Sequence, residues 1–144
     1  MEARALHGTW HLTGWEIVQP DGAITHPFGT DATGVIVYSG DGTMSAAIAR
    51  AGRAPFPGGN PRRASEAERA AAADSYFHYA GPFHVTEEEG RPLVVHRVTH
   101  ALNPGFVGTE QRRFIDLDGD ALTLSAREAL PDGRHRDHRL IWRR

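Results

Sequence analysis

The sequence contains no cysteine and no lysine. Without cysteine there is no disulfide, no thiolate metal centre and no cysteine nucleophile. Without lysine there is no Schiff-base chemistry and no P-loop lysine, and all sixteen basic residues are arginine. No run approaches the ~18 apolar residues of a helical membrane span. The opening Met1-Glu2-Ala3-Arg4-Ala5-Leu6 carries no apolar stretch of a signal peptide. The chain therefore reads as cytoplasmic, with no membrane partner. A formal charge of −2 forces no basic face, so nucleic acid is not an expected partner. Neither GxGxxG nor GxSxG occurs, which leaves dinucleotide binding on a Rossmann turn and α/β-hydrolase chemistry without support.

What is present is ordinary for one globular domain: 144 residues, 40% hydrophobic and 24% charged. Turn signals recur at short intervals, at Pro20-Asp21-Gly22, Gly40-Asp41-Gly42, Glu89-Gly90, Asp118-Gly119-Asp120 and Pro131-Asp132-Gly133. Between them lie short runs rich in Val, Ile, Thr, Trp and Phe. They predict eight strands near 8–18, 33–39, 43–49, 82–87, 92–102, 109–117, 121–127 and 135–143, an up-and-down barrel or a sandwich. One segment differs. Ser65-Glu66-Ala67-Glu68 is a capping box, an alanine-rich stretch follows, and Gly81-Pro82 reads as a stop, so one helix is expected over 66–80. The Pro/Gly-rich segment 50–61 before it is long for a compact domain and reads either as a lid or as a plain crossover.

The ordered set Gly8-Thr9-Trp10-His11-Leu12, Trp15-Glu16, Pro27-Phe28-Gly29, Ala32-Thr33-Gly34, Tyr38-Ser39, Gly42-Thr43-Met44-Ser45, Tyr79-Ala80-Gly81, His96, Pro104, Gly108-Thr109, Gln111-Arg112-Arg113-Phe114, Asp118-Gly119-Asp120, Leu122-Thr123-Leu124 and Leu140-Ile141-Trp142 runs along nearly the whole chain. In this set the chain resembles the bacterial and fungal lipocalin-like domain family. The resemblance implies an eight-stranded antiparallel calycin-type barrel with an internal cavity, and the 66–80 helix is expected to cover it. It implies small-molecule binders, some of them placed among secondary-metabolite pathways as cyclases or isomerases. Classical lipocalins are usually exported, and the missing signal peptide argues against an extracellular carrier.

Side chains alternate along strands, which assigns faces. In 92–102 the face Val94, His96, Val98, His100, Leu102 is the interior candidate. In 109–117 it is Gln111, Arg113, Ile115, Leu117, with Phe114 on the opposite face as a discordant apolar residue. A hairpin pairing Leu102 with Thr109 would set His100 opposite Gln111 and Val98 opposite Arg113. It would gather His96, His100, Gln111 and Arg113 into one patch. An interior guanidinium suits an anionic or enolate oxygen, and a histidine near neutral pKa suits proton transfer. Arg113 could instead pair with Glu16 or pack near Trp10 as a barrel-closing residue. Tyr38, Met44, Tyr76 and Tyr79 are further candidates for ligand contact. Four residues on a strand span about 13 Å, too far for His96 and His100 to share a metal, and no metal site is expected. The basic run Arg134–Arg139 reads as a solvated strand face.

Two functional readings stay open with no cofactor required. One is a binding protein for a small apolar or aromatic molecule. The other is a cofactor-independent cyclase or isomerase in which Arg113 and Gln111 hold a developing oxyanion, His96 moves a proton and Tyr79 assists. A haem-binding barrel is a third alternative. A closed barrel exposes few edges, so a monomer or weak homodimer is expected.

Overall fold

A computed structural model describes residues 1–144. The strands are β1 (Gly8–Val18), β2 (Ile24–Thr25), β3 (Thr33–Tyr38), β4 (Thr43–Ala49), β5 (Tyr76–Glu88), β6 (Arg91–Arg97), β7 (His100–Ala101), β8 (Glu110–Asp118), β9 (Ala121–Ala129) and β10 (His135–Arg143). The one α-helix, α1, is Glu66–Asp74. The eight long strands pair antiparallel in chain order, and β1 closes the ring by pairing with both β3 and β10. β1 uses one edge for each neighbour and bulges between Leu12 and Gly14 along β10. Its first half lies along β3 and most of its length along β10. Closure leaves the long strands without a free edge. No helix is long and apolar enough to cross a membrane.

Period-two alternation drives the core inward. Leu12, Ile36, Ala46, Ile48, Val94, Ile115, Leu122 and Leu124 are all buried in one cluster. One end is plugged. The 3-10 turn Ala3–Leu6 brings the Leu6 carbonyl to accept from Trp10 Nε1 at 2.8 Å. The Arg144 guanidinium lies 4.2 Å from the centre of the Trp10 ring and donates to the carbonyls of Ala5 and His7. The barrel-closing arginine is therefore Arg144, and Glu16 pairs with Arg139 at 3.8 Å. Neither structural role considered for Arg113 is the one it plays.

Two expectations need correction. The capping box forms as read, Ser65 and Glu68 bonding reciprocally at 3.1 and 3.0 Å. The helix, however, ends at Asp74 instead of continuing to residue 80, buries no residue, and contributes nothing to the wall of the barrel cavity. The run Tyr76-Phe77-His78-Tyr79 is aromatic and alternates, so it opens β5 against β4, with Tyr79 inward opposite Ala46. Gly81 stops no helix. It sits inside β5, where an added Cβ would meet the Arg97 carbonyl oxygen at 1.9 Å. That close approach is the reason the expected strand 92–102 is broken. After Arg97 the chain runs on along the same edge of β5 with its register shifted by one residue: Thr99 N–H donates to Ala80 O, and β7 pairs with Tyr79 and Ala80.

Candidate functional site

The end opposite the Trp10 plug is open. Around its mouth, Trp15 packs on Phe28 (5.0 Å between ring centres) and on Phe77 (5.9 Å), and Phe106 packs on Phe77 (5.9 Å) and Tyr79 (6.4 Å). Arg50 donates to Pro27 O and lies over Phe28, which pins that loop. Below the rings a cavity of about 60 Å³ is walled by Trp15, Phe77, Tyr79, His96, Arg113, His138 and Trp142, with aliphatic side chains between them. No residue of 50–64 lines it, so the long segment is no lid on this cavity. A separate groove runs between residues 50–56 and α1.

His96, on β6, is 1% exposed and sits between two buried tyrosines from other strands. Its Nε2 is 2.8 Å from the Tyr38 hydroxyl on β3, and its Nδ1 is 2.7 Å from the Tyr79 hydroxyl on β5. Burial, with a smaller contribution from the Arg113 charge, pushes the His96 pKa down to about 3. Burial also raises both tyrosines, Tyr38 further because Tyr79 adds to it, while Arg113 opposes the rise in each. All three groups are neutral at pH 7, and no ring nitrogen of His96 is free.

Arg113 and Gln111 sit on β8. Gln111 lies opposite His96 and Arg113 opposite Val94, which makes Arg113 the diagonal neighbour of His96. The register differs by four residues from the one expected, an even number. His96, Gln111 and Arg113 therefore keep a common face, whereas an odd slip would have scattered them. Arg113 forms no salt bridge. It donates to Arg112 O at 2.7 Å and Gln111 Oε1 at 3.4 Å. Gln111 in turn donates to Thr109 Oγ1, and Thr109 donates to Phe106 O, so the guanidinium is tied to the loop that carries Phe106. Phe114 faces outward under Arg91, whose guanidinium is 4.3 Å from its ring centre, which accounts for its discordant position.

The structure brings His96, Tyr38, Tyr79, Gln111 and Arg113 together. His100 is not among them. It lies exposed on β7, bonded to Thr99, because the strand break after Arg97 turns it outward. Met44 is buried beside Tyr38 at the closed end and is not part of the cavity wall. Tyr76 is half-buried outside it, under Arg53 at 5.0 Å. A cluster that the basic run concealed stands at the mouth. Glu128 accepts from Arg136 at 2.7 and 3.0 Å and lies 2.6 Å from His138 Nε2, and these bonds hold its pKa down to about 2. Its signal in the sequence was symmetry: Glu128 and Arg136 face each other across the Pro131-Asp132-Gly133 hairpin.

Residues 7–144 match the model of the lipocalin-like domain. The chain belongs to the lipocalin-like domain family. Among curated proteins it is similar to the 4'-hydroxy-3'-methoxypropiophenone carrier protein ppsC of Aspergillus oryzae. The two are 31% identical over 106 residues, 70% of this chain and 96% of the relative. No solved structure matches the chain.

Proposed function

We propose that this lipocalin-like barrel binds a small aromatic molecule at its open end, with an oxygen of that molecule on Arg113. The observation that carries the reading is the Arg113 guanidinium itself. It is half-buried in a mostly apolar cavity wall and has no carboxylate partner. A cation in such a place costs desolvation, and a ligand oxygen offsets that cost. The relative's name supports the reading: the molecule it is said to carry is an aryl ketone with phenol and methoxy oxygens.

The size of the cavity limits the ligand. About 60 Å³ is small beside the roughly 300–1,000 Å³ of drug-sized sites, so one ring is the appropriate scale. Even one ring needs the mouth to widen, and the half-buried Phe77 and Phe106 are the side chains placed to turn aside. Binding is favoured over turnover, and over a histidine-ligated haem, by the state of His96. A general base or an axial ligand needs a free lone pair, and both nitrogens of His96 are engaged by tyrosines. His96 and Gln111 then act as positioning residues for Tyr79 and Arg113.

The test is a thermal-shift titration with 4-hydroxyacetophenone, followed by recovery of the compound and its mass and NMR spectra. Saturating ligand should raise the melting temperature, by about 2.7 kcal/mol of stability at a hundredfold excess over Kd. The compound should be recovered unchanged. Chemical conversion of it would favour the isomerase reading. No stabilisation by any one-ring aryl ketone would contradict the proposal.

A further inference from the structure

The interior offers more protons than it can itself accept. Tyr38, His96 and Tyr79 are linked by two contacts, at 2.8 and 2.7 Å. Neutral, they carry three protons between them: two hydroxyl and one imidazole. Each contact uses one, so one proton is left over. It belongs either to Tyr38 or to Tyr79. Tyr38 is 1% exposed and is not part of the cavity wall, so a spare hydroxyl proton there would be sealed in without a partner, at a cost of about 1–3 kcal/mol. Tyr79 lines the cavity. The arrangement that strands no proton has Tyr38 O–H donating to Nε2, Nδ1–H donating to the Tyr79 oxygen, and the Tyr79 O–H turned to the cavity.

Two further donors stand in the same wall. The indole N–H groups of Trp15 and Trp142 are buried with no hydrogen-bond partner, and Trp142 as a residue is 1% exposed. Native proteins leave few such groups unsatisfied, and these two border one cavity. With Arg113, the inner wall holds four donors: two indoles, a hydroxyl and a guanidinium. The wall groups able to accept are already engaged: both His96 nitrogens by tyrosines, the Tyr79 oxygen by Nδ1–H in this arrangement, and His138 Nε2 by Glu128 at the mouth.

We infer that the buried end of the ligand is a proton-free oxygen acceptor (a ketone, ester or ether oxygen) received by the Tyr79 hydroxyl and the Trp142 and Trp15 indoles, and not an alcohol, amine or acid proton. This rests on the binding reading above and narrows it to a chemical class.

Three near-isosteric probes test it: acetophenone, 1-phenylethanol and ethylbenzene. Each is titrated into uniformly ¹⁵N-labelled protein and followed by the indole N–H signals, with affinities measured in parallel. The three tryptophans give three indole signals. Trp10, already bonded to Leu6 O at the closed end, is an internal reference. Acetophenone should bind tightest, by about tenfold over ethylbenzene. It should move the Trp142 or Trp15 signal downfield while Trp10 stays in place. Tyr79→Phe should erase about tenfold of the acetophenone affinity and leave that of ethylbenzene unchanged. Equal affinities for all three probes, or binding that moves neither cavity indole, would overturn the inference while leaving the binding site intact. No binding by any probe would overturn the binding reading and this inference with it.

Discussion

The two ends of the barrel are built from similar residues and finished in opposite ways. At the closed end an arginine and a tryptophan satisfy each other's surroundings: Trp10 donates to Leu6 O, and Arg144 covers the indole face while bonding the carbonyls of Ala5 and His7. At the open end an arginine and two tryptophans share one wall, and there the indoles bond to nothing and Arg113 has no counter-charge. The same side chains thus stabilise one end and leave the other short of acceptors. A fold selected only for stability would complete both ends, because unsatisfied buried donors cost free energy. The incomplete end is the one we propose to bind the ligand.

The comparison breaks most visibly at the plug. Trp10→Ala removes a fully buried indole and should lower stability by about 3–5 kcal/mol in denaturant unfolding. At temperatures where the variant stays folded, aryl-ketone affinity should be little changed. Gly81→Ala should come next. Its Cβ would meet the Arg97 carbonyl, and the backbone shift needed should cost roughly 1–3 kcal/mol or more. Because the register shift beside Gly81 leads through β7 into the loop that carries Phe106, this variant should weaken binding as well as stability.

A comparable effect appears with pH. His96 stays neutral in the fold down to about pH 3 but takes up a proton near pH 6.5 once unfolded. Its contribution to stability is therefore complete above pH 6.5 and is lost as pH falls from 6.5 towards 3. The slope approaches about 1.4 kcal/mol per pH unit, the value for one proton. Glu128, held low by Arg136 and His138, adds a loss of the same sign below its ordinary carboxylate range. His96→Gln, measured by unfolding between pH 4 and 7.5, should show a flatter dependence than the parent. The smallest change expected is Ser65→Ala. Losing the cap costs a helix about 1 kcal/mol. Since α1 buries nothing, the loss should appear as faster amide exchange over 66–74, with the cavity and its affinity unaffected.

What the sequence could disclose followed the range of the forces involved. The capping box is decided within four residues, and it forms as read. Strand faces are decided by a period of two, so His96, Gln111 and Arg113 were placed together even though the hairpin register was displaced, the displacement being even. The end of the helix was misjudged because alanine propensity and a Gly-Pro pair outweighed Tyr76-Phe77-His78-Tyr79, whose conformation is settled by pairing with β4, some thirty residues earlier. His100 was misplaced because the break after Arg97 arises from a contact with Gly81 across the sheet. The two tyrosines on His96 come from β3 and β5, and only closure of the barrel makes them partners of one ring. Family membership supplied the barrel, and the chemistry of its interior became legible from coordinates.

The most direct test sets the two arginines against each other. Arg113→Met and Arg144→Met keep comparable apolar stems and remove the charge at the open and closed ends respectively. For each, the melting temperature and the affinity for 4-hydroxyacetophenone, whose second oxygen is the one proposed for Arg113, are measured side by side. Arg113→Met should lose about tenfold or more in affinity with a melting temperature unchanged or raised, because it removes a half-buried, uncompensated cation. Arg144→Met should lose melting temperature and keep its affinity while folded. If Arg113→Met instead binds as tightly as the parent, or unfolds as readily as Arg144→Met, then Arg113 is a structural residue and the open end is not the binding site.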